Sequence, residues 1–219
     1  MFEIVYSVMD SYTEPDYANC ALLTIDVQND FTLPGSKLQI LGTAEAVPNI
    51  RRILEQFRLV GKPIVHIIRF YLVDGSNVDL CRRSMVEDGK KVVVPNTFGA
   101  DLVQELRPNK EKLDAESLLS GNVQELAPNE YVIYKPRWGA FYDTPLQSLL
   151  KSKNVNTLVF TGCNFPNCPR TTIYEASERD YKIVAVEDAI SGIYPKAVKE
   201  LEGIGCELNS KDELLPRIK

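Results

Sequence analysis

Chemistry in this chain gathers where short apolar runs stop at reactive side chains. Leu158–Phe160 feeds a tight turn, Thr161-Gly162-Cys163-Asn164-Phe165-Pro166-Asn167, that ends on Cys168 and Pro169. Proline suits the first helical position, where its missing N–H is unpaired anyway, and Arg170–Arg179 is periodic, so Cys168 is expected at a helix N-terminus. Free N–H groups and the partial positive charge there favour a thiolate, the form in which sulfur attacks. On the turn alone, a small buried cysteine is an equally open reading. A nucleophilic thiol also needs a base and a positive charge. Two other runs end on such groups: Cys20–Ile25 stops at Asp26, and Glu130–Tyr134 stops at Lys135.

The runs themselves read as strands. Cys20–Ile25, Pro63–Phe70, Glu130–Tyr134, Thr157–Thr161, Lys182–Val186 and a last short stretch at Cys206–Leu208 alternate with helical segments at Val47–Leu59, Val78–Glu87, Thr144–Lys151, Pro169–Arg179 and Lys196–Ile204. Gly89–Asn129, broken by prolines and glycines, carries short helices at Ala100–Leu106 and Ala115–Leu119 and reads as a cover rather than core. The alternation predicts an α/β sandwich of three layers, with a mostly parallel central sheet and helices on both faces. Ligands of such sheets bind beyond the carboxyl ends of the strands, where Asp26, Lys135 and Cys168 all lie.

With 219 residues, 44% of them hydrophobic, the chain suits one domain at 19–219 behind an arm at 1–18 that packs on the surface or on another subunit. A net charge of −5 and no basic stripe argue against nucleic acid as a partner. The absence of a basic, then apolar, start and of any apolar run of about 18 residues argues against a membrane and for a cytoplasmic protein. Five scattered cysteines without C-x-x-C spacing make neither a disulfide framework nor a zinc site, and one histidine makes no metal cluster. No cofactor motif is present.

The set Ile25-Asp26-Val27-Gln28-Asn29-Asp30-Phe31, then Lys135-Pro136-Arg137, then Thr161-Gly162 with Cys168 six residues after the glycine, resembles the isochorismatase-like cysteine hydrolase family over about residues 20–208. Glu187-Asp188-Ala189 resembles it too. The resemblance implies a Rossmann-like fold, a homo-oligomer (dimer or tetramer), and Asp26, Lys135 and Cys168 as a catalytic triad. It implies hydrolysis of a C–N bond in a small-molecule substrate, an amide, ureido or carbamoyl compound; the residue types imply a thioester on Cys168, and one histidine without a ligand cluster implies no metal. The backbone N–H groups of Asn164 and Cys168 would form the oxyanion hole, beside a cis peptide at Cys163–Asn164. Phe165-Pro166 and Pro169 depart from the family pattern, and Phe165–Pro166 is the alternative cis bond. Family nicotinamidases carry an Asp-x-His pair and a further His for metal, which a single His66 does not supply; the isochorismate-cleaving branch lacks the nucleophilic cysteine.

Substrate contacts are expected from Gln28 and Phe31, from Trp138 and Tyr142, and from Arg69. The three aromatic residues would line a small apolar pocket or belong to the core, and Arg69 would grip a carboxylate at two points. His66 reads as a packed core residue, and Arg82 and Arg83 as a solvated helix face. Two other functions stay open. One is hydrolysis of a non-amide substrate on the same fold; the other is a non-catalytic binding or redox protein using Cys163 and Cys168.

Overall fold

The computed structural model describes residues 10–219. Seven strands, β1 (Cys20–Ile25), β2 (Ile64–Ile68), β3 (Gln124–Ala127), β4 (Glu130–Tyr134), β5 (Thr157–Gly162), β6 (Lys182–Ile190) and β7 (Glu207–Asn209), form one sheet in the order β3-β4-β2-β1-β5-β6-β7. Only β3 runs antiparallel. The helices are α1 (Asn29–Thr32), α2 (Thr43–Leu59), α3 (Leu80–Glu87), α4 (Ala115–Leu119), α5 (Leu146–Ser152), α6 (Cys168–Ser177), α7 (Pro195–Glu202) and α8 (Lys211–Leu214). None of the described helices is long and apolar enough to cross a membrane.

Both faces of β1 are buried, so it reads as an unbroken apolar run, and its alternate residues serve two cores. Ala21, Leu23 and Ile25 pack with Leu146 and Leu150 of α5, Ile173 and Ala176 of α6, and Ala197 and Leu201 of α7. Cys20 and Leu22 pack against Ile50, Ile53, Leu54 and Phe57 of α2 and Leu214 of α8. That is the expected three-layer sandwich. A third cluster under the Gly89–Asn129 cover joins Phe31, Ile68 and Phe70 to Val92, Leu102, Leu118 and Leu126.

Several expected bounds shift. The cover contributes the edge strand β3, which pairs with β4 through a bulge, while the expected helix at Ala100–Leu106 is two single 3-10 turns, Phe98–Ala100 and Gln104–Leu106. β6 continues past Val186 to Ile190, because a register shift lets Ile190 pair with Gly162 beyond the exposed Glu187 and Asp188. Asp188 ties helices together: its carbonyl accepts from Asn49 of α2 at 2.7 Å, and its carboxylate from Lys211 N of α8 at 2.8 Å. Of the expected arm, residues 1–9 lie outside the described part. Asp16 and Tyr17 are tied down, the Asp16 N–H donating to Thr157 Oγ1 at 2.9 Å and the Tyr17 hydroxyl to Glu207 at 2.9 Å.

Two features of the sheet make measurable predictions. At Gly162, φ is +115°, and a Cβ there would stand 2.2 Å from the carbonyl oxygen of Ile25, so only glycine lets β5 run this close to β1. Gly162→Ala is expected to lose several kcal/mol, on the order of 3 or more, or to fail to fold, as read by thermal melting against wild type. Beneath the sheet, His66 Nε2 meets Glu130 Oε1 at 2.8 Å and His66 Nδ1 meets Thr24 Oγ1 at 2.7 Å, while Arg58 Nε donates to Glu130 Oε2 at 2.8 Å. Burial alone would raise the Glu130 pKa, but hydrogen bonds from Arg58 and His66 outweigh it and hold the carboxyl below its usual value. A depressed carboxylate contributes stability that is present above its unfolded pKa and is lost as pH falls through the folded one. Wild type is therefore expected to lose stability below about pH 4.5. Glu130→Gln, weaker at neutral pH, is expected to show a flatter acid limb in denaturant titrations.

Candidate active site

The carboxyl ends of β1, β2, β4 and β5 converge on one buried cluster. Asp26 ends β1 at φ +55°, a left-handed conformation that costs a residue with a Cβ about 1–2 kcal/mol. It is held there because its N–H donates to Ile67 O at 2.8 Å, while its carbonyl accepts from Gln28 N at 2.8 Å and from Cys163 Sγ at 3.1 Å. Lys135, at the end of β4, reaches past β2 and sets Nζ 2.9 Å from Asp26 Oδ2. Its side chain is 0% exposed and that of Asp26 5%, so each ion compensates the desolvation of the other. Lys135 Nζ also donates to Arg137 O at 3.3 Å. Asp26 Oδ1 is buried and has no hydrogen-bond partner among the described residues.

Cys168 is the first residue of α6, 7% exposed, and its thiol faces both the Asp26 carboxylate and the Lys135 ammonium. Burial, and after it the charge of Asp26, pushes the thiol pKa up to about 12, with Lys135 pulling the other way. This corrects the expectation that the helix N-terminus favours a resting thiolate. The sulfur is buried, and the ammonium is already paired with a carboxylate, so the resting group is a thiol. Lys135 stays charged: burial works against it, but the Asp26 carboxylate raises its pKa.

The turn from β5 to α6 is built on Gly162 and on reciprocal bonds to the end of β6, with Phe165 N donating to Ser191 O at 2.7 Å and Ser191 N to Gly162 O at 3.0 Å. No peptide bond is cis among the described residues, so neither Cys163–Asn164 nor Phe165–Pro166 takes the expected form; the left-handed Gly162 and a turn closed by Asn167 N on Asn164 O at 3.1 Å reverse the chain instead. The backbone N–H groups of Asn164 and Cys168 have no backbone or side-chain acceptor among the described residues.

Most of the expected substrate contacts are committed elsewhere. Gln28 is buried, donating to Arg69 O at 2.8 Å and Ala100 O at 2.6 Å and accepting from Arg69 N at 2.8 Å, which clasps the ends of β1 and β2. Phe31 lies in the core under the cover. Arg69 is 2% exposed, paired with Asp79 through Nη2, and donates through Nη1 to Lys135 O at 3.0 Å, so its fork is not open to a carboxylate. Tyr142 is 56% exposed. Trp138 is half-buried against the α5–α7 core, and its indole N–H has no partner among the described residues. His66 is a core residue, as expected, bonded to Thr24 and Glu130. Arg82 and Arg83 are half-buried rather than solvated.

Three functional neighbours escaped the sequence reading. Asp79 neutralises Arg69. Thr172 and Glu175 of α6 strap down the chain after Lys135: Ala140 N donates to Thr172 Oγ1 at 3.1 Å, and Phe141 N to Glu175 Oε2 at 2.9 Å. Thr172 Oγ1 also donates to Cys168 O at 2.7 Å, so one hydroxyl links the lysine loop to the cysteine. Their side chains follow Cys168 at helical spacing, the one signal that could have pointed to them. Two surface hollows of about 520 and 510 Å³ lie away from Asp26, Lys135 and Cys168.

Known proteins resemble this chain in sequence and fold. The isochorismatase domain matches residues 20–202. A probable inactive nicotinamidase of Arabidopsis thaliana is 34% identical over 197 residues, covering 87% of this chain and 92% of the relative. A ureidoacrylate amidohydrolase of Methylobacterium radiotolerans is 29% identical over 206 residues, covering 87% and 75%. The crystal structure of an isochorismatase family protein from Desulfovibrio vulgaris superposes with a TM-score of 0.77 at 30% identity, covering 90% of this chain and 96% of that one. With its fold, its strand-end cluster and its matched domain, the chain belongs to the isochorismatase family.

Proposed function

We propose that the chain is a metal-independent cysteine amidohydrolase that cleaves a C–N bond of a small amide, ureido or carbamoyl compound. The observation that carries this reading is the divided carboxylate of Asp26: Oδ2 is held by Lys135, while Oδ1 is buried without a hydrogen-bond partner among the described residues, and the charge of the carboxylate acts on the Cys168 thiol. Asp26 takes the proton of Cys168, and the thiolate attacks the carbonyl carbon. The N–H groups of Asn164 and Cys168 stabilise the tetrahedral oxyanion. Asp26 then gives the proton to the leaving nitrogen, which departs as an amine or ammonia and leaves a thioester on Cys168. Water, deprotonated by Asp26, cleaves the thioester, releases the acid and restores the thiol. Lys135 orients Asp26 and stabilises the thiolate while it exists. Both ring nitrogens of His66 are occupied in the sheet, so it has no part in these steps.

Similarity to an amidohydrolase supports the choice of bond, and similarity to a relative described as inactive makes turnover the point to test. A panel of small amides, ureas and carbamoyl compounds, read by ammonia release with wild type and Cys168→Ala, is expected to yield at least one substrate for the wild type alone. No turnover across the panel, together with a reversible Cys163–Cys168 disulfide, would favour the non-catalytic redox reading instead.

A further inference from the structure

Glu175 lies two turns along α6 from Cys168, on the face that also carries Thr172, and that face grips the loop following Lys135. The loop, residues 136–145, contains no helix or strand. Its placement matters to the ammonium. Lys135 Nζ has two partners among the described residues: Asp26 Oδ2 at 2.9 Å, on a residue pinned to the sheet, and the Arg137 carbonyl at 3.3 Å, which is only as fixed as the loop. Successive amides of the loop end on α6, Ala140 N on Thr172 Oγ1 at 3.1 Å and Phe141 N on Glu175 Oε2 at 2.9 Å. Gly139 lies so close to the same carboxylate that a Cβ there would stand 2.2 Å from Glu175 Oε1.

Keeping a carboxylate half-buried is unfavourable unless it is hydrogen-bonded. Burial pushes the Glu175 pKa up, and the Phe141 N–H works against that rise. Arg179 donates through Nη1 to the Glu175 carbonyl at 2.7 Å and lies over the Phe141 ring at 5.0 Å, so the residue that Glu175 holds by its N–H is also held by its ring. We propose that Glu175 is a positioning residue for Lys135: by fixing Gly139–Phe141 against the helix that opens on Cys168, it fixes the Arg137 carbonyl and with it the placement of the ammonium. The inference rests on Lys135 and Cys168 acting as proposed above.

Alkylation by iodoacetamide tests it, with adducts read at the Cys168 peptide by mass, apart from those at the exposed Cys81. At pH 8, Glu175→Ala is expected to slow the reaction about threefold to tenfold, because a misplaced ammonium favours the thiolate less. In Lys135→Met, which has no ammonium to place, the same substitution should change the rate by less than about twofold, whereas an effect on access to the sulfur would persist there. Glu175→Gln keeps an oxygen for Phe141 N and should recover most of the rate. Gly139→Ala, whose methyl pushes the flexible carboxylate aside, should slow alkylation as Glu175→Ala does and add nothing in the double variant. It also covers the case in which the alanine variant at 175 folds poorly. An unchanged rate in both Glu175→Ala and Gly139→Ala, or an equal change with and without the Lys135 ammonium, overturns the proposal. Alkylation needs no turnover, so failure of the proposed hydrolysis is read separately, as amide turnover that survives Cys168→Ala.

Discussion

Asp26→Asn is expected to move two rates in opposite directions. Amide hydrolysis should fall by about 10³-fold, since the variant has neither a base for the thiol nor an acid for the leaving nitrogen. Alkylation of Cys168 by iodoacetamide near pH 8 should rise by at least about tenfold. The reason is the sign of the carboxylate's effect: after burial, its charge is what pushes the thiol up to about 12, while Lys135 pulls it down. Without the carboxylate only burial opposes the ammonium, so the thiol titrates at lower pH. Rates of ammonia release and of alkylation across pH 6–10 measure both effects. A parallel fall in both rates would mean that Asp26 only shapes the site.

Removing the other ion should cost mostly stability. Lys135→Met leaves the buried Asp26 carboxylate without its partner at 2.9 Å, and breaking a buried pair from one side costs about 3–5 kcal/mol. For a chain of this size that corresponds to a melting temperature lower by roughly 10 °C. The thiol loses the charge that favours its ionised form, so alkylation should slow where Asp26→Asn accelerates it. Hydrolysis should drop by at least about 10²-fold. Melting curves and alkylation rates on the same preparations check the two effects separately, and a variant as stable as wild type would place Lys135 outside the buried pair.

How far the sequence could be read depended on whether a residue's role lay in its own neighbourhood. β1 and β4 begin and end where their apolar runs do, because strands buried on both faces leave an unbroken signal. β3, Gln-Glu-Leu-Ala, buries only Leu126 and gives no such run. Asp26 and Lys135 were legible because each follows an apolar run, Cys168 because it opens the helix after one, and the sheet brings the ends of those strands together. Gln28 and Arg69 have the same polar, strand-end character, yet their side chains turn inward to backbone carbonyls and to Asp79, partners far away in sequence or in an irregular loop. The protonation of Cys168 was misjudged for a related reason. The helix N-terminus is visible in the sequence, whereas the burial and the carboxylate that outweigh it exist only once the chain has folded.

The central claim is that acyl transfer passes through the sulfur of Cys168, and trapping the intermediate tests it most directly. Wild type and Asp26→Asn would be mixed with an activated thioester of a small acid, quenched in acid, and read by intact mass and peptide mapping. The leaving thiol needs no acid, so both proteins should acylate. The adduct should sit on the peptide containing Cys168, should turn over in wild type, and should persist in Asp26→Asn, where water has no base. An adduct on another residue, or unimpaired acylation and turnover in Cys168→Ala, would contradict the account.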